Sequence, residues 1–376
     1  MPIPPPPVLQ VLPALGQGGV ERGTVEIARS LVEAGGRAVV ASAGGPMVAE
    51  LEAAGARHVV LPLDRKSPSA LVANAGALAR LAREEGVAII HARSRFPAWS
   101  ALMAARRAGV HFVTTYHGSY NEGFPGKRFY NSVMARGERV IAISEHIAAL
   151  VRERHGVPAE RLRVIPRGVD PVRFDPAAVE AARVEGLRRG WGLPEGRPVL
   201  LLPARLTRWK GQAVLLRAVA LLEEPRPVVV FAGDAQGREA YRAELEALAV
   251  ESGVVLRLAG AVADMPAALA LADVVVHAST DAEAFGRTVI EAQAMGRPVI
   301  ASDLGAPRET VEEGVTGWRV APGDPAALAR AISHALAQPA AARVAMGEAA
   351  RAAVLARYTT RAMQEATLAL YREVAG

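Results

Sequence analysis

The chain of 376 residues contains no cysteine, which excludes disulfides, thiol nucleophiles and thiolate metal sites together. Aromatic residues make up only 5% of it, too few for the stacking platforms that hold single-stranded nucleic acid. No apolar run approaches the ~18 residues needed to span a bilayer. The opening MPIPPPPVLQVL lacks the basic segment of a secretion signal, so cytoplasmic residence is expected. Histidine pairs at H-x-x-x-H or H-E-x-x-H spacing are missing, which leaves no support for a histidine-bound metal. G-x-S-x-G is missing too, so no Ser-His-Asp hydrolase set can be assembled. Lysine is scarce: of 44 basic residues only Lys66, Lys127 and Lys210 are lysines. Against so strong an arginine bias, a retained lysine is slightly more often needed as lysine, and that draws attention to Lys210.

The remaining composition is that of a globular protein, 51% hydrophobic and long enough for two or three domains. Its charge is uneven. Residues 1–167 carry 21 basic against 13 acidic residues, a net +8, whereas the remainder carries 23 against 25, a net −2. A basic first half suits an acidic partner, either nucleic acid or an anionic lipid surface.

Short apolar segments alternate with helical patterns throughout. VLQVLPAL, RAVVASA, ARHVVLPL, VAIIHARS, HFVTTYHG and RVIAIS read as strands of a first parallel sheet. A proline-spaced stretch, IPRGVDPVRFDP (165–176), interrupts the alternation and marks a boundary. PVLLLPARL, PVVVFAG, VVLRLAG, DVVVHAS and PVIASD then repeat the architecture, and RYTTRAMQEATLALYREVAG reads as a terminal helix. The expectation is an α/β protein with two doubly wound domains, 1–167 and 168–356. A helix over 357–376 would pack back on the first domain. Ligands of such folds bind at the carboxyl ends of the strands, in a cleft where two such domains face each other.

The residues that follow strands therefore carry the chemistry. LGQGGVERG fails as a dinucleotide fingerprint, because Glu21 replaces the third glycine. It leaves Gly18 and Gly19 either as an ordinary tight turn or as bare amides that approach a phosphate or sugar. PARLTRWKGQ places Arg205 and Lys210 five apart across a turn that opens a helix; they form a diphosphate clamp or a solvated basic turn. TTYHG delivers His117 to a strand end, as a structural or a functional residue, whereas His277, within DVVVHAS, reads as packed in its strand. FAGDAQG and LAGAV supply Gly233, Asp234 and Val262, which together suit a slot for a flat base. In EAFGRTVIEAQAMG, Glu283 precedes a Gly286 turn and Glu291 lies about one turn into a helix that starts near Thr288. Acids at a helix mouth either complement its dipole or hold a ligand there.

ARLTRWKG, FAGD, LAG and EAFGRTVIEAQAMGRPVIASDLGAPRE, in that order, resemble the second domain of family 4 glycosyltransferases of the GT-B fold. Glu283 and Glu291 match that family's Glu-x7-Glu signature. GGVER, TTYHG, AISEHI and IPRGVD resemble its first domain. HARSRFPAWSA and YNSVMARGERVIAIS are similar to the bacterial branch that builds the lipopolysaccharide core, often as mannosyltransferases. The resemblance implies transfer of a sugar from a UDP- or GDP-linked donor, with retention at the anomeric carbon, no cofactor and no metal. It implies that Arg205 and Lys210 neutralise the diphosphate and that Glu291 binds the ribose hydroxyls. Glu283 and the amides of Ala284, Phe285 and Gly286 would hold the donor sugar or its phosphate. His117 would face the donor sugar, while Gly18 and Gly19 would approach the diphosphate and acceptor. The sequence departs from the pattern at Ala284, where glycine is usual, and at Arg167, where asparagine is common. A nucleotide-sugar 2-epimerase shares the architecture, but ARLTRWKG and the spaced glutamates argue against it. A nucleic-acid binder lacks a recognition motif. The implied partners are a nucleotide sugar, a lipid-linked or lipopolysaccharide-core acceptor and an anionic membrane surface, with no nucleic acid.

Overall fold

Seven short strands build the first sheet of the computed structural model, which describes residues 4–16 and 18–376. They are β1 (Val8–Val11), β2 (Ala38–Ser42), β3 (Arg57–Val60), β4 (Ile89–Ala92), β5 (His111–Tyr116), β6 (Arg139–Ala142) and β7 (Leu162–Val164). All pairings are parallel and the order is β3-β2-β1-β4-β5-β6-β7. Helices cover both faces of such a sheet, so its inner strands are buried along their length instead of alternating. β1, β2 and β4 are buried throughout.

The second sheet comprises β8 (Val199–Leu202), β9 (Val228–Ala232), β10 (Leu256–Gly260), β11 (Val274–His277), β12 (Val299–Ser302) and β13 (Trp318–Val320). It is also parallel, in the order β10-β9-β8-β11-β12-β13. Its core is mostly aliphatic, with Leu200, Leu215, Val229, Val274, Ile300 and Ile332 fully enclosed beside Phe231. Each such side chain contributes about 1.5–3 kcal/mol relative to exposure. Two edge strands, β7 and β13, have no counterpart among the expected strands; at three residues each they are too short to show a period.

The chain divides into one unit of Met1–Arg167 with Thr360–Gly376 and another of Gly168–Thr359. The last helix spans Thr360–Ala375, starting three residues later than the 357 expected, because Arg357 still ends the preceding helix. It belongs to the first unit, where Gln364 Nε2 donates to the Glu26 carbonyl at 2.8 Å. Tyr371 is fully buried, and its hydroxyl lies 2.6 Å from His91 Nδ1. His91 Nε2 lies 2.7 Å from Thr115 Oγ1, so both ring nitrogens of this core histidine are satisfied.

Candidate active site

Both sheets reverse strand order at one place, between β1 and β4 in the first and between β8 and β11 in the second. The loops leaving these strands are the ligand-binding positions of doubly wound folds. In the second unit three loops are fastened together there. Gly233, after β9, lies so close to the β8 loop that a Cβ would stand 2.0 Å from the Ala204 carbonyl oxygen. Leu206 N donates to the Asp234 carbonyl at 3.1 Å, and Thr280 N donates to the Trp209 carbonyl at 2.7 Å. Gly211 has φ +75°, and a Cβ on it would stand 1.8 Å from the Ala278 carbonyl oxygen. Glycine is required here by both conformation and contact.

This fastening places Lys210 Nζ against Glu283 Oε1, with both side chains largely buried. The same oxygen accepts from Ser279 Oγ at 2.8 Å and lies 2.8 Å from His277 Nε2. The Glu283 backbone is pinned in turn: Gly305 approaches it at φ +69°, and Ala306 N donates to the Glu283 carbonyl at 3.0 Å. Burial alone would push the Glu283 carboxyl upward, but His277 and Lys210 outweigh it and hold the group well below the usual carboxylate range. Glu283 is therefore an ionised, enclosed acceptor that holds an ammonium in place.

The remaining candidates of this unit do not join that cluster. Arg205 is exposed; its Nη1 reaches Gln236 Oε1 at 3.4 Å and its carbonyl accepts from Gln212 Nε2 at 2.8 Å. Lys210 is thus coupled to a carboxylate, and the second cation stands apart on the exposed arm of the turn. Gly286 caps the helix Arg287–Ala294 at φ +81°, one residue earlier than expected. Glu291 lies inside this helix, 3.7 Å from Arg287. Ala284 adjoins Phe285, whose ring is buried edge-on against Tyr358 with centroids 5.9 Å apart. Asp234 Oδ1 accepts from Gln236 N at 3.0 Å, and Val262 is half-buried in the turn after β10.

In the first unit Gly18 caps the helix Gly19–Glu33. A Cβ on Gly18 would stand 2.4 Å from a Glu21 carboxylate oxygen, while Gly19 has open space around it. His117 follows β5 directly, and its Nδ1 lies 2.8 Å from Arg167 Nη2. Its Nε2 is enclosed and finds no hydrogen-bond partner among the described residues.

Sequence reasoning missed several of these groups. His277 ends β11 as a buried strand residue and also touches Glu283. Ser279, the last residue of DVVVHAS, and Arg287, within EAFGRTVIEAQAMG, were given no role, although Arg287 precedes Glu291 by four residues, the spacing of a helical ion pair. Arg93 follows β4 and is almost wholly buried, a placement visible only once the sheet order is known.

Residues 17–173 match the family model described as Glycosyltransferase Family 4, and residues 184–353 match that described as Glycosyl transferases group 1. A D-inositol 3-phosphate glycosyltransferase of Xylanimonas cellulosilytica is 32% identical over 361 residues, spanning 85% of this chain and 84% of the relative. The chain belongs to this glycosyltransferase family. Among solved structures, a glycosyltransferase from Rickettsia africae has a TM-score of 0.91 to this transferase at 33% identity, covering 98% of each chain. HepE of Anabaena in complex with UDP-glucose has a TM-score of 0.85 at 26% identity, covering 98% of this chain and 99% of its own. The fold of the transferase is accordingly GT-B, two Rossmann-like units with parallel sheets. The curated relative is named for inositol 3-phosphate, so the lipopolysaccharide-core branch suggested by the sequence is not what these matches support. Neither the epimerase nor the nucleic-acid reading gains from them.

Among the described residues no cluster of three or more His, Asp or Glu is arranged to hold a metal, and no helix is long and apolar enough to cross a membrane. Two segments of the first unit, 94–109 and 126–139, set basic residues beside apolar and aromatic ones, and they are placed unequally. Leu102 is buried and Phe96 and Met103 are half-buried, so the helix Arg95–Ala108 spends most of its apolar face on the protein itself. The segment after β5 is different. Phe124 and Phe129 are 70% and 64% exposed. Phe129 stacks on Trp99 with centroids 5.2 Å apart, under the Arg136 guanidinium. Lys127 lies 5.6 Å from the Phe124 ring.

The buried histidines make acid sensitivity a testable property of the first unit. Burial, then the nearby guanidinium groups, hold His91 and His117 well below their ordinary value of 6.5. Below pH 6.5 the unfolded chain takes up protons that the folded unit refuses, so stability falls as pH falls. Each histidine adds up to about 1.36 kcal/mol of loss per pH unit until its folded value is reached. Denaturant midpoints measured from pH 7.5 to 5 should decline from about 6.5 downward. A flat profile would contradict the burial.

Proposed function

We propose that the transferase moves a hexose, mannose or another, from a UDP- or GDP-linked donor to a lipid-linked acceptor such as a lipopolysaccharide core, with retention and without a metal. The observation that carries this reading is the Lys210–Glu283 pair at the point where the β8 and β11 loops meet, beside the start of the helix that bears Glu291. Departure of a nucleoside diphosphate builds negative charge. Lys210 and Arg205 stabilise that charge more in the transition state than in the bound donor, which is what lowers a barrier. Glu283 keeps Lys210 oriented and accepts a sugar hydroxyl, while the amides of Ala284, Phe285 and Gly286 receive the donor. Glu291 binds the ribose, and Gly233, Asp234 and Val262 border the base. In the first unit, Gly18 and Gly19 give a phosphate close access to amides, and His117 donates to the donor sugar. The solved complex of the related HepE with UDP-glucose supports a nucleotide-sugar donor.

A panel of UDP-, GDP- and ADP-sugars, assayed for release of the free nucleoside diphosphate, tests the reaction. One donor class should turn over, and turnover should survive exhaustive chelation with EDTA. Silence on every donor would refute the reading; loss restored by magnesium or manganese would refute the metal-free part.

The transferase meets its acceptor at the cytoplasmic face of an anionic membrane, docking through the exposed Phe124 and Phe129 with their basic neighbours. The first unit's charge excess supports this, since each cation near anionic lipid contributes about 1 kcal/mol. Co-sedimentation with anionic liposomes should occur at low salt and weaken as salt rises. It should fall when Lys127, Arg128 and Arg136 become glutamate. Indifference of the parent protein to anionic vesicles would leave the acceptor to be met in solution.

A further inference from the structure

Arg167 is buried in the first unit, with its guanidinium turned to the ring of His117. A guanidinium has N–H donors and no acceptor, so the 2.8 Å contact from Nη2 obliges His117 Nδ1 to offer a lone pair. The ring proton must then sit on Nε2, the nitrogen that is enclosed and has no partner among the described residues. We propose that Arg167 is a positioning residue for sugar transfer, holding His117 as a neutral ring that presents Nε2–H to the substrate. This rests on the reading of His117 as substrate-facing.

The surroundings of the ring favour the neutral form. Arg167 and Arg93 are both cations, and burial together with these two and His91 holds His117 well below the usual histidine range. His91 has its own nitrogens engaged by Tyr371 and Thr115. On the loop side, His117 N donates to the Tyr120 hydroxyl at 3.3 Å. An imidazolium here would face two guanidinium groups, so protonation is opposed from outside the ring as well as by its own burial. Helix packing then fixes Arg167. A Cβ on Gly23 would stand 2.0 Å from Arg167 Nη1 and 3.1 Å from Arg93 Nη2, so both guanidinium groups are seated against that helix backbone. The asparagine common at position 167 in this family offers an amide that can present either a donor or an acceptor and brings no charge. Arginine removes that ambiguity.

The test combines nitrogen-15 NMR of labelled histidine with turnover measured from pH 5.5 to 8.5. In the parent, His117 should carry its proton on Nε2 and not titrate across that range. Arg167→Leu removes the donor that confines the ring proton to Nε2, so part of the population should carry it on Nδ1, with turnover reduced at least tenfold. Arg167→Gln offers an amide that can present a donor or an acceptor, so it should populate both tautomers and fall between the parent and Arg167→Leu. If Arg167→Leu does not fold, Gly23→Ala displaces the guanidinium while retaining it and should reproduce the tautomer shift. A parent ring protonated on Nδ1 would overturn the proposal, as would a tautomer and turnover unchanged in Arg167→Leu. Failure of the functional reading is separable: His117→Ala would then transfer sugar at the parent rate, whatever the NMR of Arg167→Leu reports.

Discussion

Replacing Lys210 with alanine should lower turnover about a hundredfold, the typical effect of removing one preorganised charge contact from a transition state. The structure adds a second consequence. Lys210 is one of three groups on Glu283 Oε1, together with His277 and Ser279. Its removal leaves an enclosed carboxylate short of its cation, and breaking a buried pair from one side costs about 3–5 kcal/mol. Lys210→Ala should therefore be both slow and less stable. Adding Glu283→Gln should restore much of the stability, because the stranded charge is gone, without restoring turnover. Glu291→Gln should instead weaken affinity for the free nucleoside diphosphate, since its proposed contact is the ribose. Denaturant midpoints, single-turnover rates and affinity for the nucleoside diphosphate across the four proteins separate these effects. Near-parent turnover in Lys210→Ala would remove Lys210 from the chemistry.

That cluster shows where the sequence was informative. Apolar strands, helical periods and the glycines that end them follow local rules, so two doubly wound units were readable residue by residue. The loops carrying Lys210 and Glu283 were legible as motifs, because their residue types are unusual after a strand. Their direct contact was not. It spans more than seventy residues and depends on β8 and β11 being neighbours in the sheet, which follows from crossover topology and not from spacing. His277 shows the same limit. As the last residue of a buried strand it carried only a packing signal, yet its Nε2 faces the Glu283 carboxylate six residues later. Arg167 was visible as a departure from a family pattern, but its purpose needed the position of His117, fifty residues earlier.

Gly211→Ala should abolish the site while changing only one methyl group. The residue adopts φ +75°, a conformation that costs a non-glycine residue about 1–2 kcal/mol. Strain of this size alone is tolerable. The decisive quantity is the 1.8 Å between a Cβ at this position and the Ala278 carbonyl oxygen. Neither side can yield cheaply, because Ala278 directly follows β11 and Gly211 caps the helix Gln212–Ala220. The loop must therefore withdraw by more than an ångström, taking Lys210 away from Glu283. A misplacement of about 1 Å is enough to cost a hundredfold in rate, and the opened packing should also lower stability by several kcal/mol, at the upper end for a single substitution. Gly196→Ala is the control: Gly196 has φ +69° but open space around its missing Cβ, so it should show the backbone cost and keep parent turnover. If the two variants prove equally active and equally stable, close approach at Gly211 does not hold the site together.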